Sequence, residues 1–179
     1  MKYCAFFRGI NVGGKNKVLM KDLVELFVDL GFTDVKTYIQ SGNVVFSTDN
    51  PELIHRIEGE FVEKFGFFSK VFVRNKQELS EIVSFEAFST EEIDQATQAN
   101  PDVVHQYVYL SNQIFDKEVL ESALSKINST DSFYIIGSEI NLLTQDGIHK
   151  SKLAAAIGKL EEPLTARNTN TLKKILERM

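Results

Sequence analysis

The stretch from Arg8 to Lys17, R-G-I-N-V-G-G-K-N-K, combines glycines, asparagines and three cations within ten residues. It follows an apolar run, Tyr3 to Phe7, and precedes an amphipathic segment that starts near Met20. Glycine lets a backbone approach a ligand closely, and unpaired N–H groups at the start of a helix attract anions. The stretch is therefore predicted to be an anion-binding loop.

The segment from Gly9 to Asn16 matches the nucleotide-binding pattern G-x-x-x-x-G-K-[ST] at every position but the last. In such a P-loop, backbone N–H groups surround the phosphates, the lysine neutralises them and a hydroxyl holds magnesium. Asn16 has no hydroxyl, and the chain has no obvious strand ending in a metal-binding Asp. Three alternatives stay open: a nucleotide-hydrolysing P-loop, a nest for a phosphate or carboxylate, and a turn that serves the fold alone.

Two polar positions of the first half accompany this loop. Arg8 would stand at its mouth, where a planar guanidinium suits either a ligand carboxylate or phosphate, or a surface acid. Ser41-Gly42-Asn43 has the composition of a tight turn, and whether Asn43 reaches the loop stays open.

The last third has polar groups before two predicted helices. Cations such as Lys152 and Arg167 are unfavourable at a helix start unless an anion binds nearby, whereas Ser151 and Asn168 could simply cap the helices. The candidate ligand contacts are Arg8, Asn11, Gly13, Gly14, Lys15, Asn43, Lys152, Arg167 and Asn168.

No catalytic constellation is evident, and the sequence implies no metal and no cofactor. His55, His105 and His149 have no spacing typical of metal ligands, and no G-x-S-x-G motif supports a nucleophile. Cys4, the only cysteine, lies in an apolar run that favours an inert buried thiol. An enzyme acting on a phosphorylated or nucleotide substrate therefore stays an alternative without identified catalytic residues.

Composition excludes several partners. The chain of 179 residues is 43% hydrophobic and 25% charged, with a net charge of −5 and a pI of about 5.3. Domains that bind nucleic acid usually have a pI above about 9, which disfavours duplex nucleic acid. Residues 1–21 nevertheless carry five cations and no acid, which fits a small anionic ligand. Without a signal peptide or an apolar run near the roughly 18 residues of a membrane helix, we expect a cytoplasmic protein with no membrane partner.

Hydrophobic periodicity predicts an α+β fold made of two ferredoxin-like halves. The first half is predicted to have strands at 3–7, 35–40, 44–46 and 67–74 and helices at 20–30, 51–65 and 77–84. The second is predicted to have strands at 106–110, 133–136, 139–143 and, with the least support, 163–166, and helices at 117–127, 151–160 and 170–179. The predicted boundaries are 1–84, a connector at 85–101 with room for a helical turn, and 102–179.

The strands are apolar on both sides. In a free-standing ferredoxin-like unit one sheet face meets water, so strand residues should alternate between apolar and polar. Cys4 and Phe6 instead oppose Tyr3, Ala5 and Phe7. We expect the two halves to bury these second faces against each other, or a partner chain to cover them, so the chain is a monomer or a homodimer. A protein-interaction module is a further alternative function.

Four motifs resemble the bacterial family called domain of unknown function 1697: R-G-I-N-V-G-G within 3–20, T-Y-I-Q-S-G-N-V-V-F at 37–46, H-K-S-K-L at 149–153 and A-R-N-T-N-T-L-K-K-I at 166–175. The resemblance spans the whole chain. It implies a two-part α+β protein with ferredoxin-like halves and supplies no established activity. The family loop varies after R-G-I-N-V-G-G, so Lys15 is not required, which disfavours a true P-loop. The residues that match the family motifs are Arg8, Asn11, Gly13, Gly14, Ser41, Gly42, Asn43, Arg167 and Asn168.

Overall fold

The structure, a computed structural model, describes all residues from 1 to 179. The first half contains β1 (Lys2–Phe7), α1 (Met20–Asp29), β2 (Thr33–Tyr38), β3 (Asn43–Ser47), a 3-10 helix (Pro51–Arg56), α2 (Ile57–Phe65), β4 (Val71–Asn75) and α3 (Lys76–Ser84). The second half contains α4 (Thr90–Ala99), β5 (Gln106–Leu110), α5 (Lys117–Leu124), β6 (Ser132–Ile136), β7 (Glu139–Leu143), α6 (Lys152–Ile157), β8 (Thr165–Asn168) and α7 (Thr169–Leu176). No helix is long and apolar enough to cross a membrane.

Both sheets have the strand order of a ferredoxin-like unit. The first is ordered β2-β3-β1-β4 and the second β6-β7-β5-β8, and every pair of neighbours is antiparallel. The predicted α+β class with two similar halves is thereby confirmed.

The weakest predicted strand, at 163–166, is present as β8 and shifted toward the C-terminus. It pairs with β5 from Thr165 opposite Leu110 to Asn168 opposite Tyr107. Its sequence, T-A-R-N, has little β-propensity, so pairing with a central strand defines it rather than its own composition.

The predicted helix at 51–65 is divided, because its first six residues, Pro51–Arg56, form a 3-10 helix. Asn50 caps this turn by accepting a hydrogen bond from the Glu52 N–H at 3.2 Å, and Pro51 occupies its first position. The predicted strand at 67–74 is shorter in the structure and begins only at Val71. Phe67 instead packs against Phe61 of α2, with ring centroids 5.2 Å apart.

Helices α1 and α2 cover one face of the first sheet. Leu23, Leu26 and Phe27 form the buried side of α1, which ends where Gly31 adopts a φ of 89°. Aromatic rings fill the layer between helices and sheet: Phe7 and Phe61 have centroids 5.0 Å apart, and Phe27 and Phe46 have centroids 5.1 Å apart. Such edge and tilted contacts add to the burial of large apolar areas.

The second sheet has an equivalent core against α5 and α6. Its buried residues are Tyr109, Leu120, Leu124, Ile135, Ile140, Leu142, Leu153, Ala154, Ile157 and Leu164. Helix α6 begins with the predicted cap, since the Ser151 hydroxyl accepts a hydrogen bond from the Ala154 N–H at 2.9 Å.

Residues on the second face of each central strand are also buried. Cys4 and Phe6 on β1 are 0% exposed, and Val108 and Leu110 on β5 are at most 1% exposed. The prediction that both strand faces avoid water is therefore confirmed for these residues. Whether the halves or a partner chain cover them stays a prediction.

The chain forms two compact units, residues 1–83 with 172–179, and residues 84–171. The predicted connector lies in the second unit, where α4 begins with reciprocal hydrogen bonds between Ser89 and Glu92. The C-terminal segment belongs to the first unit, where the Arg178 guanidinium lies 4.7 Å from the centre of the Tyr38 ring. The boundaries predicted from the sequence stay a prediction.

Candidate functional site

The segment between β1 and α1, residues 8–19, is called the glycine loop below. Its centre is a tight hairpin, in which the Lys15 N–H donates to the Val12 carbonyl at 3.1 Å. Gly13 and Gly14 at its tip have φ values of 58° and 76°, the two positive angles that a type I′ turn requires. No atom lies within 4 Å of a Cβ added to either glycine. The tip backbone is therefore open to a ligand.

Two asparagines hold this hairpin in place. The Asn11 amide donates to the Val18 carbonyl at 2.9 Å, and its oxygen accepts from the Val18 N–H at 2.8 Å. Asn16 donates to the Gly9 carbonyl at 3.2 Å. Asn11 and Asn16 have φ values of 55° and 51°, a left-handed conformation that asparagine tolerates better than most residues. These side chains shape the loop by closing it on itself.

The glycine loop also joins the turn between β2 and β3. Asn11 donates a second hydrogen bond to the Gln40 carbonyl at 2.9 Å, and the Phe7 N–H donates to the Gly42 carbonyl at 2.8 Å. A Cβ on Gly42 would lie 2.6 Å from Ile10 Cδ1, so only glycine fits there. The motifs at 8–17 and 37–46 thus meet at one end of the first sheet.

The start of β4 completes this end of the sheet. The Arg8 N–H donates to the Lys70 carbonyl at 3.0 Å, and the Ser69 hydroxyl donates to the Arg8 carbonyl at 2.9 Å. Lys70 forms an ion pair with Glu58 of α2, with 3.1 Å between Nζ and Oε1. The charge of Lys70 is therefore partly neutralised, and the backbone of Arg8 is fixed on both sides.

Three cations of the loop remain exposed. Arg8, Lys15 and Lys17 form no ion pair and no side-chain hydrogen bond, and no acid occurs in residues 1–21. Lys21 differs from these three cations, because it lies in the first turn of α1 near Glu25. The pKa of the Glu25 carboxyl is lowered mainly by Lys64 and to a smaller extent by Lys21. The glycine loop is thus a surface of positive charge built on a fixed backbone.

Asn43, predicted as a ligand contact, is fully buried in the first unit. Its amide donates to the Tyr38 carbonyl at 3.0 Å and to the Ser41 hydroxyl at 2.9 Å. These bonds close the turn that supports the glycine loop. A direct contact between Asn43 and a ligand stays a prediction.

Three predicted ligand contacts, Lys152, Arg167 and Asn168, lie in the second unit, and two of them form hydrogen bonds within it. Lys152 is exposed in the first turn of α6, and Asn168 caps α7 by accepting from the Thr171 N–H at 2.7 Å. Arg167, 9% exposed on β8, donates from Nη1 to the Thr165 hydroxyl and to the Ala166 carbonyl, each at 2.8 Å. Their participation in ligand binding stays a prediction.

The glycine loop differs in conformation from a P-loop. A P-loop follows a strand of a parallel sheet and leads directly into a helix whose N–H groups meet the phosphates. Here β1 is central in an antiparallel sheet, and α1 begins at Met20, five residues after Lys15. The loop closes as a separate hairpin before the helix begins. An anion would therefore meet the loop's backbone and cations, not the end of α1.

One feature of this end of the sheet, the backbone of Ile39, could not be predicted from the sequence. Ile39 has a φ of 51°, a conformation that β-branched residues adopt rarely, yet its side chain is 51% exposed. The motif Y-I-Q-S-G-N signals a turn, and turn statistics favour Gly42 for the left-handed conformation, which it adopts with a φ of 75°. Nothing in the motif shows that Ile39 is left-handed as well.

The family model of DUF1697, described as a protein family of unknown function, matches residues 1–140. The chain belongs to this family. The matched region contains the glycine loop and the turn between β2 and β3. No curated protein matches the chain.

A solved structure with this fold is that of the conserved bacterial protein SP0830 from Streptococcus pneumoniae. It aligns with 22% sequence identity and a TM-score of 0.69, covering 99% of this chain and 97% of that one. At this level of identity the similarity shows the fold alone. The DUF1697 chain therefore shares its two-unit architecture with a structure whose description assigns no activity.

Proposed function

We propose that this DUF1697 protein binds a small anionic ligand, carrying a phosphate or carboxylate, at the glycine loop. The observation that carries the proposal is the exposure of Arg8, Lys15 and Lys17 without an ion pair, on a loop fixed by Asn11. A fixed backbone reduces the entropy lost on binding, and a cluster of like charges is unfavourable unless an anion joins it. Such a ligand would be expected in the cytoplasm, where we place the protein.

The residues of this site contribute to anion binding in different ways. Arg8 offers a planar fork for two oxygens of the ligand, and Lys15 and Lys17 contribute flexible point charges. Gly13 and Gly14 leave the tip backbone open, so their N–H groups are available to the same anion. Asn11 and Asn43 support the site by their hydrogen bonds to neighbouring backbone.

A thermal-shift screen of inorganic phosphate, sugar phosphates, nucleotides and dicarboxylates tests the proposal. A ligand at 100 times its dissociation constant should stabilise the folded protein by about 2.7 kcal/mol. Arg8→Ala should reduce this stabilisation, because removing a charge-assisted hydrogen bond costs about 1.5–3 kcal/mol, or roughly ten- to a hundredfold in affinity.

Lys126→Ala is the matched control, since Lys126 is an exposed cation of the second unit with no ion pair. It should bind the ligand like the wild type. If no anion raises the unfolding temperature of the wild type, or if Arg8→Ala and Lys126→Ala respond alike, the glycine loop is not the anion site.

A further inference from the structure

Exposed apolar side chains accompany the cations at this end of the first sheet. Val12 is 64% exposed, Leu19 60%, Ile39 51% and Phe68 63%. In the whole first unit only Met1 and Val28 are other large apolar residues of comparable exposure. Exposed apolar residues are therefore concentrated where the cations are, and such a concentration on a soluble surface indicates a binding surface.

Hydrogen bonds place three of these residues on neighbouring turns. Val12 follows Asn11, whose amide contacts the carbonyl of Gln40, the residue after Ile39. Phe68 precedes Ser69, whose hydroxyl donates to the Arg8 carbonyl. The tips that expose Val12, Ile39 and Phe68 are thus tied to one another through the glycine loop.

The backbone of Ile39 is unfavourable for the residue it carries. A left-handed conformation costs a non-glycine residue on the order of 1 kcal/mol, and asparagine or glycine would adopt it more readily. Burial does not explain the isoleucine, because half of its side chain meets water. An exposed, strained, β-branched residue indicates that its apolar surface is used in an interaction.

We propose that this end of the first unit binds the surface of an anionic phospholipid bilayer. Val12, Ile39 and Phe68 enter the interfacial region, and Arg8, Lys15 and Lys17 contact the lipid phosphates. The inference rests on the proposed function, since the phosphate held by the loop is then part of a lipid headgroup. It goes beyond the expectation of no membrane partner, because interfacial binding requires no spanning helix.

The chemistry of the exposed side chains favours lipid over nucleic acid. Binding of single-stranded nucleic acid combines cations with aromatic rings on which bases stack. Here Phe68 is the one ring, and Val12, Leu19 and Ile39 offer no π-face. Aliphatic tips between flexible cations instead match the boundary between headgroups and acyl chains, where apolar burial and attraction to anionic lipid act together.

Vesicle sedimentation tests this with phosphatidylserine–phosphatidylcholine vesicles and with pure phosphatidylcholine vesicles. The wild type should bind the anionic vesicles and release them when salt rises from 0.1 to 1 M, as the screening length falls from about 10 to 3 Å. The double variant Lys15→Ala/Lys17→Ala should bind roughly 25-fold more weakly, since each cation near an anionic surface contributes about fivefold.

The sharpest variant is Ile39→Asn, which removes the apolar tip and relieves the backbone. It should weaken vesicle binding by about tenfold and raise the unfolding temperature by about 2–4 °C. Ile114→Asn is the matched control, because Ile114 is 82% exposed in the second unit, and it should bind vesicles like the wild type. Equal binding by both variants would show that Ile39 does not contact lipid and would overturn the proposal.

The two proposals fail in different ways. If soluble phosphates stabilise the wild type but anionic vesicles do not bind, the bilayer inference falls and the anion site stands. If vesicles bind and no soluble anion does, the lipid surface is the ligand and the small-ligand proposal falls. If single-stranded oligonucleotide displaces the protein from vesicles and binds it more tightly, the surface belongs to nucleic acid, and the bilayer inference is wrong.

Discussion

In each unit a loop joins the first strand in the chain order, which is central in its sheet, to the following helix, and the two loops differ in length. Between β1 and α1 the chain uses twelve residues, 8–19, whereas between β5 and α5 it uses six, 111–116. Both loops leave the sheet beside the neighbouring hairpin: the Phe7 N–H donates to the Gly42 carbonyl at 2.8 Å, and the Ser111 N–H donates to the Ser138 carbonyl at 2.9 Å. Six residues are therefore enough for this fold.

The extra length of the first loop is what forms its hairpin. Gly13, Gly14, Lys15 and Asn16 close on themselves and add no residue to the buried core, whereas Ile10 and Val18 on either side are buried. In the second unit the shorter loop and the following turn contain Asp116 and Glu118, so no comparable positive surface occurs there. An elaboration that the fold does not need, present in one unit only, points to a function at that position.

The turn between β2 and β3 and its equivalent between β6 and β7 provide the largest expected effect. Gly42→Ala should lower the free energy of unfolding by about 3–4 kcal/mol, because a methyl group would overlap Ile10 and Phe7 and the φ of 75° disfavours alanine. Gly137→Ala in the second unit should cost about 1–2 kcal/mol, since only its φ of 57° opposes it and the nearest atom lies 3.7 Å away. Urea unfolding of both variants measures the two costs.

Equal costs for the two alanine variants would contradict this comparison. They would mean that Gly42, in the turn between β2 and β3, is packed against the glycine loop no more tightly than Gly137 is packed in the second unit. A cost of Gly42→Ala below about 1 kcal/mol would further show that Ile10 moves aside.

A second difference concerns the strand starts, where the second unit has a buried histidine. The His105 ring lies with Nδ1 2.6 Å from the Thr144 carbonyl and Nε2 2.9 Å from the Asn100 carbonyl, joining the end of α4 to the sheet. His105→Ala should cost about 2 kcal/mol, because it removes a buried ring whose N–H donates to the carbonyl of Thr144 or of Asn100 and leaves that carbonyl without its donor. Urea unfolding should show this loss, while His55→Ala, at an exposed position of the 3-10 helix, should stay within about 0.5 kcal/mol of the wild type. If both variants lost the same free energy of unfolding, the His105 ring would not join the end of α4 to the sheet.

The smallest expected difference appears at alkaline pH. Tyr109 on β5 occupies the register position that Ala5 holds on β1, and burial, with a further contribution from Tyr107, raises the pKa of Tyr109 to about 12. An unfolded tyrosine ionises near pH 10, so the unfolded state loses its proton first as pH rises. The stability that this tyrosine contributes is full below pH 10 and is lost between about pH 10 and 12.

Tyr109→Phe should therefore reduce the loss of stability between pH 8 and pH 11 by about 1.4 kcal/mol. Denaturant unfolding at the two pH values measures this, and the comparison at pH 8 corrects for any change in packing. An unchanged loss in the variant would assign the alkaline transition to other groups.

Much of the fold could be predicted because its elements are strongly periodic. Strand β5 at Gln106–Leu110 and helix α1 from Met20 have the expected bounds within a residue or two, since their apolar spacing matches the geometry of a strand and a helix. Strand β8 was harder to predict, because Arg167 and Asn168 lack β-propensity and become a strand only by pairing with β5. The start of β4 was predicted too early because Phe67 and Phe68 are apolar but lie outside the strand: Phe67 packs against Phe61 of α2, and Phe68 is exposed.

The candidate site was predicted in composition but not in arrangement. Glycines and cations at 8–17 indicated an anion loop, yet nothing local showed that Asn11 would bond to Gln40, 29 residues away. Nor could composition show that Asn43 is fully buried while Phe68 is exposed. Those outcomes depend on which strands become neighbours, and β3 pairs with both β1 and β2.

The sequence by itself determined the two-part α+β plan and the cluster of positive charge, because periodicity and charge are properties of consecutive residues. Only the tertiary structure decided that the glycine loop closes as a hairpin, that two distant motifs share one end of a sheet, and that Ile39 is exposed in a strained conformation. The physical reason is that these features follow from contacts between segments far apart in the chain. A backbone conformation such as that of Ile39 is stabilised by neighbours that its own sequence does not specify.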